Sequence, residues 1–197
     1  NQGVPSAKAT ASWDSTDYDP SPGDWVDVPF GTEGVAIKTS EPADLIISFT
    51  AEGALATDVK IKGTGEITES TSKAKIEVQA LVGTDINKDG DYDDDGEWAT
   101  AEPGEVVFAY RLMTLKGLLW SPAQVGMITL PEQWIEIYKE TRAAHSFNFV
   151  LKNVGSGVHP VKIQVKTEKI AGFEGGTVTT VIGKRTLLVE SVRMVND

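Results

Sequence analysis

The chain has no cysteine, two histidines, and 18 lysines and arginines against 29 aspartates and glutamates, for a net charge of −11 over 197 residues. Without cysteine there is no disulfide framework, no thiolate zinc site and no cysteine nucleophile. Two histidines do not furnish an imidazole metal centre. Nucleic acid is excluded as a partner, because phosphate binding depends on clustered lysine and arginine releasing counterions, and here acid dominates. No run approaches ~18 consecutive apolar residues, so no membrane span is expected. G-x-S-x-G elbow, phosphate loop, dinucleotide fingerprint and H-E-x-x-H are all missing. No enzymatic activity is expected, although paired-carboxylate hydrolysis leaves no signature, since its two acids need only be neighbours in space. The start at Asn1-Gln2-Gly3-Val4-Pro5, with neither methionine nor an apolar stretch, suggests a processed secretory protein or a trimmed chain.

What is present is an ordinary globular composition, 40% hydrophobic and 24% charged. At this length roughly 70% of the unfolded surface can be buried, so a core needs no staple. The dominant period is two. Ala74, Ile76, Val78, Ala80 and Val82 alternate with Lys73, Lys75, Glu77 and Gln79, and Val161, Ile163 and Val165 alternate with Lys162, Gln164 and Lys166. Shorter runs of this kind cover 34–39, 44–51, 59–62, 105–114, 146–151, 177–182 and 186–195. The breaks between them are rich in glycine or proline, as at Asn153-Val154-Gly155-Ser156-Gly157. Short alternating strands at this density predict an all-β fold, an antiparallel β-sandwich of jelly-roll type, with residues 14–197 in one domain. One segment departs from the pattern. In residues 131–142 a proline and a glutamate open a run in which Trp134, Ile137, Tyr138 and Thr141 share a helical face, which predicts one short helix; the strand alternative places Glu136 beside apolar neighbours.

The chemistry concentrates at one place. Residues 85–97 hold seven carboxylates and one lysine, a net of −6 within 13 residues. Two like charges ~5 Å apart repel by about 0.8 kcal/mol in water and by about four times that at an effective dielectric near 20, so a folded loop of this composition calls for a cation. Asp91-x-Asp93-x-Asp95-Gly96-x-Trp98-x-x-x-Glu102 fits the pattern D-x-[DN]-x-[DN]-G-x5-E. It resembles the calcium loop of EF-hand proteins. The resemblance implies side-chain oxygens from Asp91, Asp93 and Asp95, a backbone carbonyl from Glu97, a water through Ala99, and both carboxylate oxygens of Glu102. An overlapping register, Asp85-x-Asn87-x-Asp89-Gly90-Asp91-x-Asp93, has Gly96 where the closing glutamate belongs, with Asp94 or Asp95 as substitutes. Back-to-back loops of this kind look like those of dockerins and thrombospondin type 3 repeats, over about 18 residues. The expected cofactor is therefore calcium, one ion or, with both registers filled, two. The flanks are strands rather than helices, which favours a structural ion over a sensor. The bland alternative is a solvated acidic turn.

Two further stretches stand out. Residues 13–27 carry Asp14, Asp17, Asp19, Asp24 and Asp27 with Trp13, Tyr18 and Trp25, which suits either an ion or sugar site or a surface turn anchored by its aromatics. Residues 1–13 include Ala7, Ala9 and Ala11 alternating with polar residues. They form either the first strand of this domain's own sheet or a strand exchanged into the next subunit. The expectation is an extracellular, calcium-stabilised structural protein of the cell surface that forms a homo-oligomer or a filament. The alternative is a carbohydrate-binding module with a structural calcium, which needs two or three coplanar aromatics on one exposed sheet face. A virion surface protein has the same sequence signature.

Overall fold

The structure, a computed structural model, describes residues 8–31, 34–121, 123–125 and 128–193. In chain order the strands are β1 (Ala9–Asp14), β2 (Val26–Asp27), β3 (Val35–Thr39), β4 (Ala43–Lys62), β5 (Ile67–Gly83) and β6 (Trp98–Thr100). They continue with β7 (Val106–Leu118), β8 (Ala123–Val125), β9 (Ile128–Leu130), β10 (Trp134–Val154), β11 (Gly157–Ile170) and β12 (Val178–Val192). One sheet runs β1-β12-β4-β10. In the second, β2 and β3 both pair with β11, β11 pairs with β5, and β5 pairs with β6 and β7. All the paired strands are antiparallel and the two large sheets pack face to face, so the chain is a β-sandwich, with β8 and β9 as a separate hairpin.

The core follows from the period-two pattern. Ile37, Leu45, Ile47, Phe49, Ile76, Phe149, Ile163 and Leu187 are fully buried between the sheets. Each such side chain contributes about 1.5–3 kcal/mol relative to exposure. Phe49 sits at the centre, edge-on to Phe30 at 6.2 Å and tilted against Phe108 at 5.2 Å. Several short runs seen in the sequence merge: 44–51 and 59–62 are one strand, β4, and 177–182 and 186–195 become β12, with a bulge between Ile182 and Arg185. Residues 194–197 lie outside the described residues.

The helix expected over 131–142 is not formed. That segment opens β10, a 21-residue strand whose Trp134 to Leu151 run in register against Lys62 to Leu45 of β4. Ile135 and Ile137 face the interior beside Ile61 and Val59, while Trp134, Glu136 and Tyr138 face outward. The objection to a strand was a carboxylate among apolar neighbours. It is met because Glu136 lies on the outer face, 3.0 Å from the Lys60 ammonium on β4. A mixture of isoleucine, tryptophan and tyrosine suits a pleated surface, and pairing with β4 decides the matter.

Candidate functional site

The acidic loop spans the gap between β5 and β6 and is closed at its base by the Thr84 N–H donating to the Glu97 carbonyl at 2.8 Å. Gly90 and Gly96 take φ of 96° and 90°, turns that a side chain would strain. Successive side chains cap the backbone ahead of them. Asp85 accepts the N–H groups of Lys88 and Gly90, Asn87 that of Asp89, Asp89 that of Asp91, and Asp91 that of Asp93. This string of Asx turns is what short polar side chains do in place of a ladder. Beneath it Glu97, only 1% exposed, accepts the Ile86 N–H at 3.0 Å and the Asp94 N–H at 3.2 Å. Its buried charge is thereby satisfied by donors alone. Tyr92 donates to the Val158 carbonyl and the Trp98 indole to the Tyr92 carbonyl, with the Lys162 ammonium 4.1 Å over the Trp98 ring. These contacts fasten the loop to β11.

The predicted ligands are only partly brought together. Asn87 Nδ2 lies 2.8 Å from Asp89 Oδ2 and 2.5 Å from Asp94 Oδ2, so one amide group holds two carboxylates at a single point. Asp91 and Asp93 are in mutual contact, and Asp91 is raised above the usual carboxylate range by its hydrogen bond with Asp93, by loss of water, and by the charges of Asp89 and Asp93. Glu97 turns inward with its carboxylate, a role that sequence pattern did not assign to it. Glu102 is separate: β6 intervenes, carrying the chain roughly 3.3 Å per residue away from Trp98, and Glu102 pairs through its backbone with Val150 on β10. Within the earlier register, Asp85 to Asp94, the Asn87 amide links Asp89 and Asp94. Among the described residues no group of three or more acidic or histidine side chains is gathered as a metal site.

The acids of residues 14–27 are mostly spent on cations of neighbouring strands. Asp14 reaches Arg185, Asp17 reaches Arg142, Asp19 reaches Lys169 at 2.7 Å, and Asp27 reaches Gln164 and Lys162. Trp13 is 72% exposed and does not anchor the stretch. His159 is buried, its ring nitrogens facing the carbonyls of Gly83 and Gly155, and His145 packs edge-on to Phe108.

A second feature involves the sheet edges. β1 pairs with β12 of its own chain, from Ala9 opposite Glu190 to Asp14 opposite Arg185; residues 1–7 lie outside the described residues. Its small apolar side chains point the wrong way for a core strand. Ala9, Ala11 and Trp13 are exposed, while Thr10 and Ser12 face an open space of about 390 Å³ bordered by Phe30, Gly34 and Val35. Across the molecule β7 and β10 each end their sheet, the edge of β10 being met at Val150 by the backbone of Glu102. The seam between them is lined by Arg111, Ala109, Thr141, Ala143 and His145 around about 150 Å³, and the Arg111 guanidinium spans it to the Lys139 carbonyl at 2.8 Å. Further along β10, Ile135 and Ile137 remain 42% exposed although they face inward.

No family model matches the chain, and no curated protein matches it. Among the described residues no helix is long and apolar enough to cross a membrane.

Proposed function

We propose that this chain is a structural subunit of the cell surface that assembles with copies of itself by exchanging its N-terminal strand, with calcium holding the 85–97 loop. The observation that carries the reading is the reversed seating of β1, with Ala9, Ala11 and Trp13 outward and Thr10 and Ser12 inward. A strand patterned for a groove is thus parked on an edge where its apolar face does nothing. The β7–β10 seam offers what that strand lacks: two edge strands and inward isoleucines left half uncovered. An inserted strand gains main-chain hydrogen bonds on both sides and buries its small side chains, the mode of β-augmentation.

Calcium fits the loop by donor chemistry. Hard carboxylate oxygens on a flexible backbone suit it, and Asp89 and Asp94 already converge on one point, where the Asn87 amide stands in for a cation. With the amide turned, Asn87 presents its oxygen beside those two carboxylates, and Asp85, Asp91 and Asp93 lie along the same loop. Neutralising the cluster also lets copies of a chain with net charge −11 approach one another. Negative-stain microscopy of the purified chain, with calcium and with chelator, tests the whole reading: ordered polymers that loosen on chelation are expected, and monomers at high concentration in millimolar calcium contradict it.

A second reading, carbohydrate binding, draws on Trp134 and Tyr138, which share the outer face of β10 at 57% and 56% exposure with Glu136 between them. Retention on a polysaccharide column that is lost in W134A or Y138A favours it.

A further inference from the structure

Asp58 lies on the outer face of β4, 7% exposed, and its Oδ1 has no hydrogen-bond donor among the described residues. An ionised carboxylate in that position is costly, because Oδ1 is cut off from water and has no donor among the described residues. Around it stand groups from three directions. From β10 come Tyr138, directly opposite in register, Glu136 two residues before it, and Glu140 two residues after it, which accepts from the Tyr138 hydroxyl. From β4 comes Lys60, whose ammonium pairs with Glu136 at 3.0 Å and lies 4.5 Å over the Trp134 ring. From the segment leading into β12 comes the Thr177 N–H, which bonds to the Asp58 carboxyl. The one cation in the set thus serves Glu136, and Asp58 is left facing a second carboxylate.

We propose that Asp58 is held as the neutral acid and donates its proton to Glu136, so that a hydrogen-bonded chain Asp58–Glu136–Lys60 latches edge strand β10 onto β4. Two carboxyl groups in contact cannot both ionise without repulsion, whereas one shared proton turns the contact into a charge-assisted hydrogen bond. Burial and the neighbouring Glu136 charge push Asp58 upward from the usual carboxylate value in agreement with this. The consequence is a pH-sensitive lip. As pH rises and the proton is lost, Glu136 and Asp58 repel, and residues 134–142 of β10, which border the β7–β10 seam, loosen. Control of assembly by this latch rests on the strand-exchange reading above; the latch itself does not.

The test is therefore made on the dilute chain, where polymers do not contribute. Carbon-13 NMR of the Asp58 carboxyl is expected to report a titration above the ordinary aspartate range. D58N supplies an amide that donates to Glu136 at every pH. Its melting temperature relative to the wild type should rise by several degrees between pH 4 and pH 8, and hydrogen exchange at residues 134–142 should lose its pH dependence. E136Q, which offers an amide donor to an ionised Asp58, should flatten the profile in the same way. An Asp58 carboxyl that titrates at or below the ordinary aspartate value, or D58N and E136Q profiles parallel to that of the wild type, overturns the latch. If the latch behaves as expected but D58N polymerises with wild-type pH dependence, the latch stands and its link to assembly is wrong.

Discussion

The Arg185 guanidinium stands 3.1 Å from the Asp14 carboxylate, and the arginine side chain is wholly buried. Its other nitrogens donate to the carbonyls of Pro29, Thr16 and Gly183. One side chain thus pins the end of β1, the following turn and the β12 bulge together.

Replacing Arg185 by methionine keeps the volume but strands those carbonyls and Asp14. Each orphaned buried acceptor costs about 1–3 kcal/mol. A melting temperature lower by several degrees is expected by calorimetry. The fold should otherwise be unchanged by circular dichroism.

The same pair gives an acid limb to the stability profile. Asp14 is held below the usual carboxylate range, first by the Thr16 hydroxyl, then by the Thr16 N–H and by Arg185, and Glu168 is lowered by Lys73 and Lys75. A depressed folded value means that the stability is present above the unfolded value, near 4, and is lost as pH falls below it. Asp91 and Asp58 run the opposite way, being raised in the folded chain, so their contribution is complete at low pH and fades as pH rises. In chelator, D14N should therefore lose most stability above pH 4 and D91N should gain relative to the wild type as pH rises. Equal offsets at all pH values in melting curves would contradict both.

For the loop, calcium at a hundredfold excess over its dissociation constant adds about 2.7 kcal/mol, which corresponds to roughly 5–10 °C for a chain of this size. Asp89→Ala and Asp94→Ala should abolish that increment while changing little in EDTA. Glu102→Ala should leave it intact, because Glu102 is carried away by β6. A calcium increment lost in Glu102→Ala would restore the longer register, Asp91 to Glu102.

Glu97→Gln is expected to destabilise the chain with and without calcium, since one N–H of the loop then faces an amide donor. Loss of a hydrogen bond to a buried charge costs about 1.5–3 kcal/mol. Proteolysis between residues 85 and 97 should quicken in parallel.

At the seam, Ile137→Asp places a charge on an inward but 42% exposed position. The monomer's melting temperature should shift little, and polymer formation measured by light scattering should fall strongly. Loss of the fold instead would show that the isoleucine belongs to the core rather than to an acceptor groove.

Much of this fold was legible because period-two alternation survives wherever one face is wet, as in β5 and β11. β10 misled for the opposite reason. Residues 134–142 are exposed on both faces, so hydrophobicity carries no two-fold rhythm there, and Trp134, Ile137, Tyr138 and Thr141 imitate a helical face. Only pairing with β4, distant in sequence, settles the segment. In the loop the clustering of acids was legible, but their division was not. The pattern ending on Glu102 runs through β6, and Glu102 itself pairs through its backbone with Val150. Glu97 entered the loop pattern only through its backbone carbonyl and Arg185 carried no motif, because capping a loop from beneath and pinning a bulge depend on contacts that spacing does not encode.

The absence of cysteine makes one measurement direct. In β1 and β12 Ala11 lies opposite Leu188, so the double variant A11C/L188C can lock the strand at home by a disulfide. Sedimentation and electron microscopy of this variant in calcium should give monomers when oxidised and filaments once reduced. Filaments of equal length and yield from the oxidised chain would mean that β1 never leaves its own sheet, and strand exchange would have to be abandoned.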